Sequence, residues 1–169
     1  MARLTIPLHI RWSDIDGYQH VNNAKMFTLL EEARIAAFWA SVPGDAQLDA
    51  IGGGVDPAHP HHGAPGTKIL ATGPGSGTNT YIARQEIEYL APLPYTLRPV
   101  EVQLWISHLG GASIDVCYEI EGADGPAVRA MTTLVLIDEE TERPRRMTDA
   151  ERAAWEPYTD DPVPFRRRR

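Results

Sequence analysis

The chain has 169 residues, 43% of them apolar, and a formal net charge of −7. This length suits one ordinary domain with a real core and leaves too little for two. The acidic balance argues against nucleic-acid binding, no apolar run approaches the ~20 residues of a membrane span, and a single cysteine, Cys117, excludes an internal disulfide framework. The first residues, Met1 to Pro7, lack the apolar region of a signal peptide, so a cytoplasmic protein with no membrane partner is expected.

Residues 4–12 alternate, with Leu4, Ile6, Leu8, Ile10 and Trp12 on one face and Thr5, Pro7, His9 and Arg11 on the other. This predicts a half-buried strand whose edge is partly unpaired at Pro7. A polar run follows, and Asn22 or Asn23 caps a helix reaching about Ser41. Met26, Leu29, Leu30, Ala33 and Ala37 make one apolar stripe, which Phe27, Ile35, Phe38 and Trp39 widen. A helix with so little polar surface is expected to be largely covered.

Residues 43–77 hold much of the Gly and Pro, almost no periodicity, and His59, His61 and His62. They read as an insertion loop, either a functional flap or poorly ordered. The three histidines lack the firm turn or separate elements that a ligand set needs, so no metal is expected. Four strand-like runs follow at 80–90, 100–108, 112–121 and 127–138, with Gly110-Gly111 and Gly122–Gly125 as turns. They predict a four-stranded meander, within which Cys117 reads as a small buried residue rather than a nucleophile. Thr148-Asp-Ala-Glu151 is a capping box that opens a short helix stopped by Pro157. The domain is expected to span 1–157. Residues 158–169, with Arg166 to Arg169, read as a basic solvated tail or as a contact for a phosphate-bearing ligand or a neighbouring subunit.

The run from Arg11 to Asn23 places a carboxylate, a glycine and an imidazole directly before a helix start. Unpaired backbone N–H groups there can polarise a carbonyl or hold an anion. Asp16 is then either a catalytic carboxylate or the acceptor of an Asx-turn. Asp14 reads as a brace for the loop. His20 could act as an acid, polarise a carbonyl or brace the loop. Asn22 and Asn23 are chiefly caps, and Glu31 and Arg34 stand at i,i+3 spacing. There is no nucleophile elbow, phosphate loop or dinucleotide fingerprint.

The stretch Asp14-Ile-Asp16-Gly-Tyr-Gln-His20-Val-Asn-Asn23 resembles the 4-hydroxybenzoyl-CoA thioesterase family of hotdog-fold proteins. Glu86-Ile-Glu-Tyr-Leu-Ala-Pro-Leu93 is similar to that family's second-strand signature. The resemblance implies an α+β hotdog fold, an antiparallel sheet of about five strands wrapped around one long central helix. It implies an acyl-CoA thioesterase, hydrolysing the thioester to a free acid and CoA without a cofactor, in a homodimer or homotetramer. Asp16 would be nucleophile or general base, His20 its catalytic neighbour, and a backbone N–H near Asn23 the oxyanion donor. Gly17, Tyr18, Val21 and Asn22 would line the substrate, with Glu32 on the helix as a reserve acid. Arg84, Arg98 and Arg129 are candidates for the CoA phosphates. Two features depart from the family pattern: the long 43–77 insertion, and Gln19 where many relatives have glycine. The rival readings are a hotdog hydratase or dehydratase using Asp16 and His20, and a non-catalytic acyl-CoA binding or sensing module.

Overall fold

The structure is a computed structural model that describes residues 2–39, 67, 69–70 and 75–166. The histidine-rich part of the insertion therefore lies outside the described residues. Five strands form one antiparallel sheet: β1 (Leu4–Leu8), β2 (Thr78–Tyr89), β3 (Val100–Leu109), β4 (Ser113–Gly122) and β5 (Gly125–Asp138). Their spatial order is β1-β3-β4-β5-β2.

Only β3, β4 and β5 form a meander, not the expected four strands. β4 and β5 close on a two-residue turn, with Gly122 opposite Gly125. Gly125 has φ +120, a conformation that favours glycine. β2 instead pairs with β5 at the far edge, Thr78 opposite Asp138 through Tyr89 opposite Val128. The segment between β2 and β3 carries Pro92, Pro94 and Pro99, so it cannot make the tight turn that adjacent placement needs. β1 occupies the other edge against β3, Leu4 opposite Leu104 and Pro7 opposite Glu101. Proline, which has no N–H to donate, is tolerated there.

The alternation of residues 4–12 holds through Ile10, whose side chain is buried like those of Leu4, Ile6 and Leu8. It fails at Trp12, which is 76% exposed. The strand ends at Leu8, and the backbone tightens into a 3₁₀ turn over Trp12–Asp14, so the period-2 rule no longer applies.

Among the described residues there are two α-helices, the one before β2 and the short one that the capping box predicts. The first, α1 (Asn23–Phe38), is capped by Asn22, whose Oδ1 accepts the N–H groups of Ala24 at 2.9 Å and Lys25 at 3.4 Å. It buries Met26, Leu29, Leu30, Ala33, Ala37 and Phe38 in the same core as the sheet. The second, α2 (Asp149–Trp155), begins with the expected capping box between Thr148 and Glu151. Its Trp155 enters the core edge-on to Phe38, ring centroids 5.8 Å apart. Fully burying aromatic side chains of this size contributes on the order of 2–3 kcal/mol each. Arg145 secures the entry to α2 through Glu151, at 2.9 and 2.5 Å, and through Thr78 on β2 at 2.8 Å.

Residues 159–166 are not free solvated chain. Asp160 N–H donates to the Ile106 carbonyl, Trp105 Nε1 donates to the Asp161 carbonyl, and Val163 is buried against Trp105 and Cys117. Two prolines, Pro162 and Pro164, keep this strap extended. Burial raises the Cys117 thiol above its ordinary pKa, as suits a packed residue rather than a nucleophile. Among the described residues, no helix is long and apolar enough to cross a membrane.

Candidate active site

The turn before α1 is built by local hydrogen bonds. Asp16 N–H donates to the His20 carbonyl and Gln19 N–H to the Asp16 carbonyl, both at 3.0 Å, while Ile15 bridges Val21. The Asp16 carboxylate Oδ1 accepts the Tyr18 N–H at 2.9 Å, an Asx-turn. Its other oxygen has no partner among the described residues. The left-handed position of the turn is held by Gln19, φ 65. Gly17 has open space around it, so no steric demand explains a glycine there. Docking of the turn onto the sheet end comes from Val21 N–H donating to the Leu93 carbonyl at 2.8 Å and a bridge between His20 and Pro94.

Asp14 is the brace for this loop. It is 1% exposed and accepts from the Arg11 backbone N–H at 2.8 Å, Arg11 Nε at 3.1 Å and Nη2 at 3.1 Å. Burial alone would raise its pKa. The Arg11 hydrogen bonds and the charges of Arg11 and Lys25 outweigh that burial and hold the carboxyl below its usual range. The same guanidinium reaches Glu32 at 3.3 Å. Glu32 is thus engaged in an ion pair beside the loop and lines none of the clefts that contain Asp16 or His20.

The helix start behaves as an N-terminus should. Ala24 and Lys25 N–H groups are taken by the Asn22 side chain, and Met26 N–H by the Asn22 carbonyl. Among the described residues, the Asn23 N–H has no hydrogen-bond partner, as expected for the first helical position. Among the described residues, the Asn23 side chain accepts only from its neighbour, Ala24 N–H at 3.0 Å. Its carbonyl accepts the Tyr89 hydroxyl at 2.6 Å, a link from β2 that local patterning did not reveal.

Three clefts surround the 16–21 turn. One of about 620 Å³ holds Asp16 and Gly17 and is flanked by Trp12 and Tyr95, which pack edge-on at 5.5 Å. A second, about 810 Å³, runs from His20 along Leu90–Pro94 to Arg129 and Arg166. The third, about 260 Å³, shares His20 and Leu90–Leu93 with it and reaches Val21, Met26 and Tyr89. Asp16 and His20 are therefore joined through the backbone but line separate clefts, with Pro94 in the wall of both. Tyr18 lines none of these clefts and is 83% exposed in the single chain. Trp12 and Tyr95 in the wall of the Asp16 cleft are not indicated by the sequence pattern, since alternation assigns Trp12 to the core.

Of the arginines proposed for phosphates, Arg84 is paired with Glu86 at 2.7 Å and Arg129 with Glu119 at 2.8 Å. The Arg98 guanidinium has no ion-pair partner among the described residues. Among the described residues no cluster of three potential metal ligands occurs.

The chain shares its fold with solved thioesterases. A thioesterase from Thermus thermophilus, solved with coenzyme A and Zn, superposes with TM-score 0.62 at 22% identity, covering 95% of this chain and 96% of that one. A 1,4-dihydroxy-2-naphthoyl-CoA thioesterase from Synechocystis gives 0.61 at 16%, covering 90% and 95%. A predicted thioesterase from Bacillus stearothermophilus gives 0.63 at 18%, covering 96% and 100%. Comparison with curated protein sequences yields no match. The model of the thioesterase-like superfamily matches residues 10–157, from just after β1 to just past α2, and the chain belongs to that superfamily.

Proposed function

We propose that the protein is an acyl-CoA thioesterase of the 4-hydroxybenzoyl-CoA thioesterase type, converting an acyl-CoA and water into a carboxylic acid and free CoA. The observation that carries this reading is one short turn that holds both the Asp16 carboxylate and the start of α1, where the Asn23 N–H is uncommitted among the described residues. Thioester hydrolysis needs an attacking oxygen and a donor for the oxyanion that forms. Asp16 supplies the first, either by attacking the carbonyl carbon or by taking a proton from an attacking water. The Asn23 N–H, at the positive end of α1, supplies the second. Collapse of the tetrahedral intermediate expels CoA thiolate; where Asp16 attacks directly, this leaves an acyl-aspartyl anhydride that water then hydrolyses to the free acid, restoring the Asp16 carboxylate. The superfamily match supports thioester chemistry, and the coenzyme A in the Thermus thermophilus structure supports CoA as the leaving group.

His20 lines both of the clefts that lack Asp16, and from there it would contact the thioester or the pantetheine arm. Val21 closes the smaller cleft, and Gly17 leaves open space beside Asp16. Release of free thiol from a panel of acyl-CoAs tests the reading. Saturable binding of the same panel without thiol release would overturn it in favour of a sensing module.

A further inference from the structure

We propose that Glu32 and Arg11 are positioning residues for the hydrolysis: the Glu32 carboxylate holds the Arg11 guanidinium, and through it sets the angle at which the Asp16 turn meets the start of α1. The inference rests on the thioesterase reading above.

Arg11 stands where three parts of the fold meet. Its backbone follows Ile10, which is buried in the core, so the sheet end anchors it. Its backbone N–H and its Nε donate to Asp14 Oδ2 at 2.8 and 3.1 Å, and Nη2 donates to Asp14 Oδ1 at 3.1 Å. The other terminal nitrogen, Nη1, lies 3.3 Å from Glu32 Oε1 on α1. One guanidinium therefore spans two carboxylates, a task that its planar fork of N–H groups suits.

The turn itself is a small hairpin. Asn22 N–H donates to the Asp14 carbonyl at 2.8 Å, Ile15 bridges Val21, and Asp16 N–H donates to the His20 carbonyl at 3.0 Å. Its returning arm is fixed by the Val21 bond to Leu93, by the bridge from His20 to Pro94, and by Asn22 as the helix cap. The outgoing arm, which carries Asp16, is held differently. Among the described residues, no side chain other than Arg11 ties that arm to α1 by a polar contact.

The place where this tie lands gives it leverage. Glu32 stands nine residues beyond Asn23, the first residue of α1. At about 1.5 Å per residue that is ~14 Å along the helix axis. A hairpin joined to a helix only at its first residue can swing about the junction. A second attachment far along the helix removes that freedom and fixes the Asp16 carboxylate against the Asn23 N–H. Reacting groups displaced by about 1 Å can lose on the order of 10²-fold in rate.

The exposure of the pair separates this role from a purely structural one. The Arg11 and Glu32 side chains are 52% and 42% exposed. Ion pairs as open to water as this contribute little to stability. Buried Asp14 needs the Arg11 charge, but it does not need Glu32. Glu32 also lines none of the clefts that contain Asp16 or His20, so it is not placed to exchange a proton with a substrate there.

The test compares Glu32→Ala with Glu32→Gln, whose amide oxygen can still accept from Arg11 Nη1. In hydrolysis of an acyl-CoA, Glu32→Ala should lower kcat about three- to tenfold while KM and the shape of the kcat–pH profile stay as in the parent. Glu32→Gln should recover most of that loss. Arg11→Lys keeps a charge beside Asp14 but gives up the fork, so adding Glu32→Ala to it should cost less than about twofold more. Amide hydrogen exchange gives a readout that needs no activity: the Asp16 and Asn22 N–H groups should exchange several-fold faster in Glu32→Ala than in the parent or Glu32→Gln. Unchanged kcat or unchanged exchange in Glu32→Ala, equal losses in the two Glu32 variants, a missing limb of the pH profile, or losses that multiply fully with Arg11→Lys would overturn the proposal. If the parent hydrolyses no acyl-CoA, the thioesterase reading fails, and the exchange rates alone decide whether the pair holds the turn.

Discussion

The Tyr89 hydroxyl donates a 2.6 Å hydrogen bond to the Asn23 carbonyl and so ties the edge strand to the first residue of α1. Burial raises the Tyr89 pKa, which keeps the phenol protonated as a donor. The bond fixes where the helix start points. Tyr89→Phe removes it while preserving the ring. We expect kcat to fall about three- to tenfold as the oxyanion donor loses registration, with a loss of roughly 1 kcal/mol in stability, typical of one hydrogen bond. Steady-state kinetics beside a urea titration will check this; unchanged kcat with reduced stability would leave Tyr89 a structural tie only.

Asp16→Asn retains an oxygen that can accept the Tyr18 N–H, so the Asx-turn survives, but it abolishes the charge and the basic oxygen. Hydrolysis of a good acyl-CoA should fall by at least ~10²-fold, mainly in kcat, since general-base catalysis alone contributes about 10²–10⁴-fold. The melting temperature should move little. Wild-type turnover in this variant would reduce Asp16 to a turn residue and remove the mechanism proposed above.

Asp14 should show the opposite balance. Asp14→Asn weakens the Arg11 clamp and should cost roughly 1–3 kcal/mol of stability with a modest rate effect. The pH dependence follows from the same contact. Asp14 is held below its usual pKa as described, and at Glu151 the Arg145 bonds likewise overcome burial and lower the pKa. Both groups then bind fewer protons folded than unfolded. Their stabilisation is complete above the unfolded values near ~4 and is lost as pH falls through the lower folded values. Urea unfolding from about pH 7 down to about pH 3 should show falling stability at the acid end, with a shallower fall in Asp14→Asn.

Strand β2 pairs only with β5 and runs 12 residues along an edge that is otherwise unpaired among the described residues. It exposes Tyr81 and Ile82. An unpaired edge of this length, exposing apolar side chains, invites pairing with a second copy, and a homo-oligomer joined there is the expected state. Ile82→Lys should shift the protein toward monomer in light scattering at micromolar concentration. A parent protein that is already monomeric under those conditions would count against the assembly.

The sequence by itself determined what local physics decides. Asn22 caps α1 and Thr148 with Glu151 opens α2, because a capping side chain reaches only two or three residues along the chain. Val102, Leu104 and Ile106 of β3, and Ile114, Val116, Tyr118 and Ile120 of β4, are buried as their alternation implies, because a pleat turns every second side chain to the same face. The Asx-turn at Asp16 and the clamp on Asp14 are contacts within three residues, and both roles were among those legible in the composition of the turn.

Tertiary structure decided the rest. Periodicity names a strand's buried face but not its neighbour, so it could not place β2 beside β5 or β1 beside β3. It carried Trp12 into the core because nothing in the alternation records where the backbone stops being extended. Which cleft Asp16 borders, which one His20 borders, and which guanidinium groups are already paired depend on residues dozens of positions away, as in the Tyr89–Asn23 bond and the contact between Arg166 and Glu88. Such contacts form only once burial of the shared core has brought distant segments together. Their partners are set by the packed geometry, not by spacing along the chain.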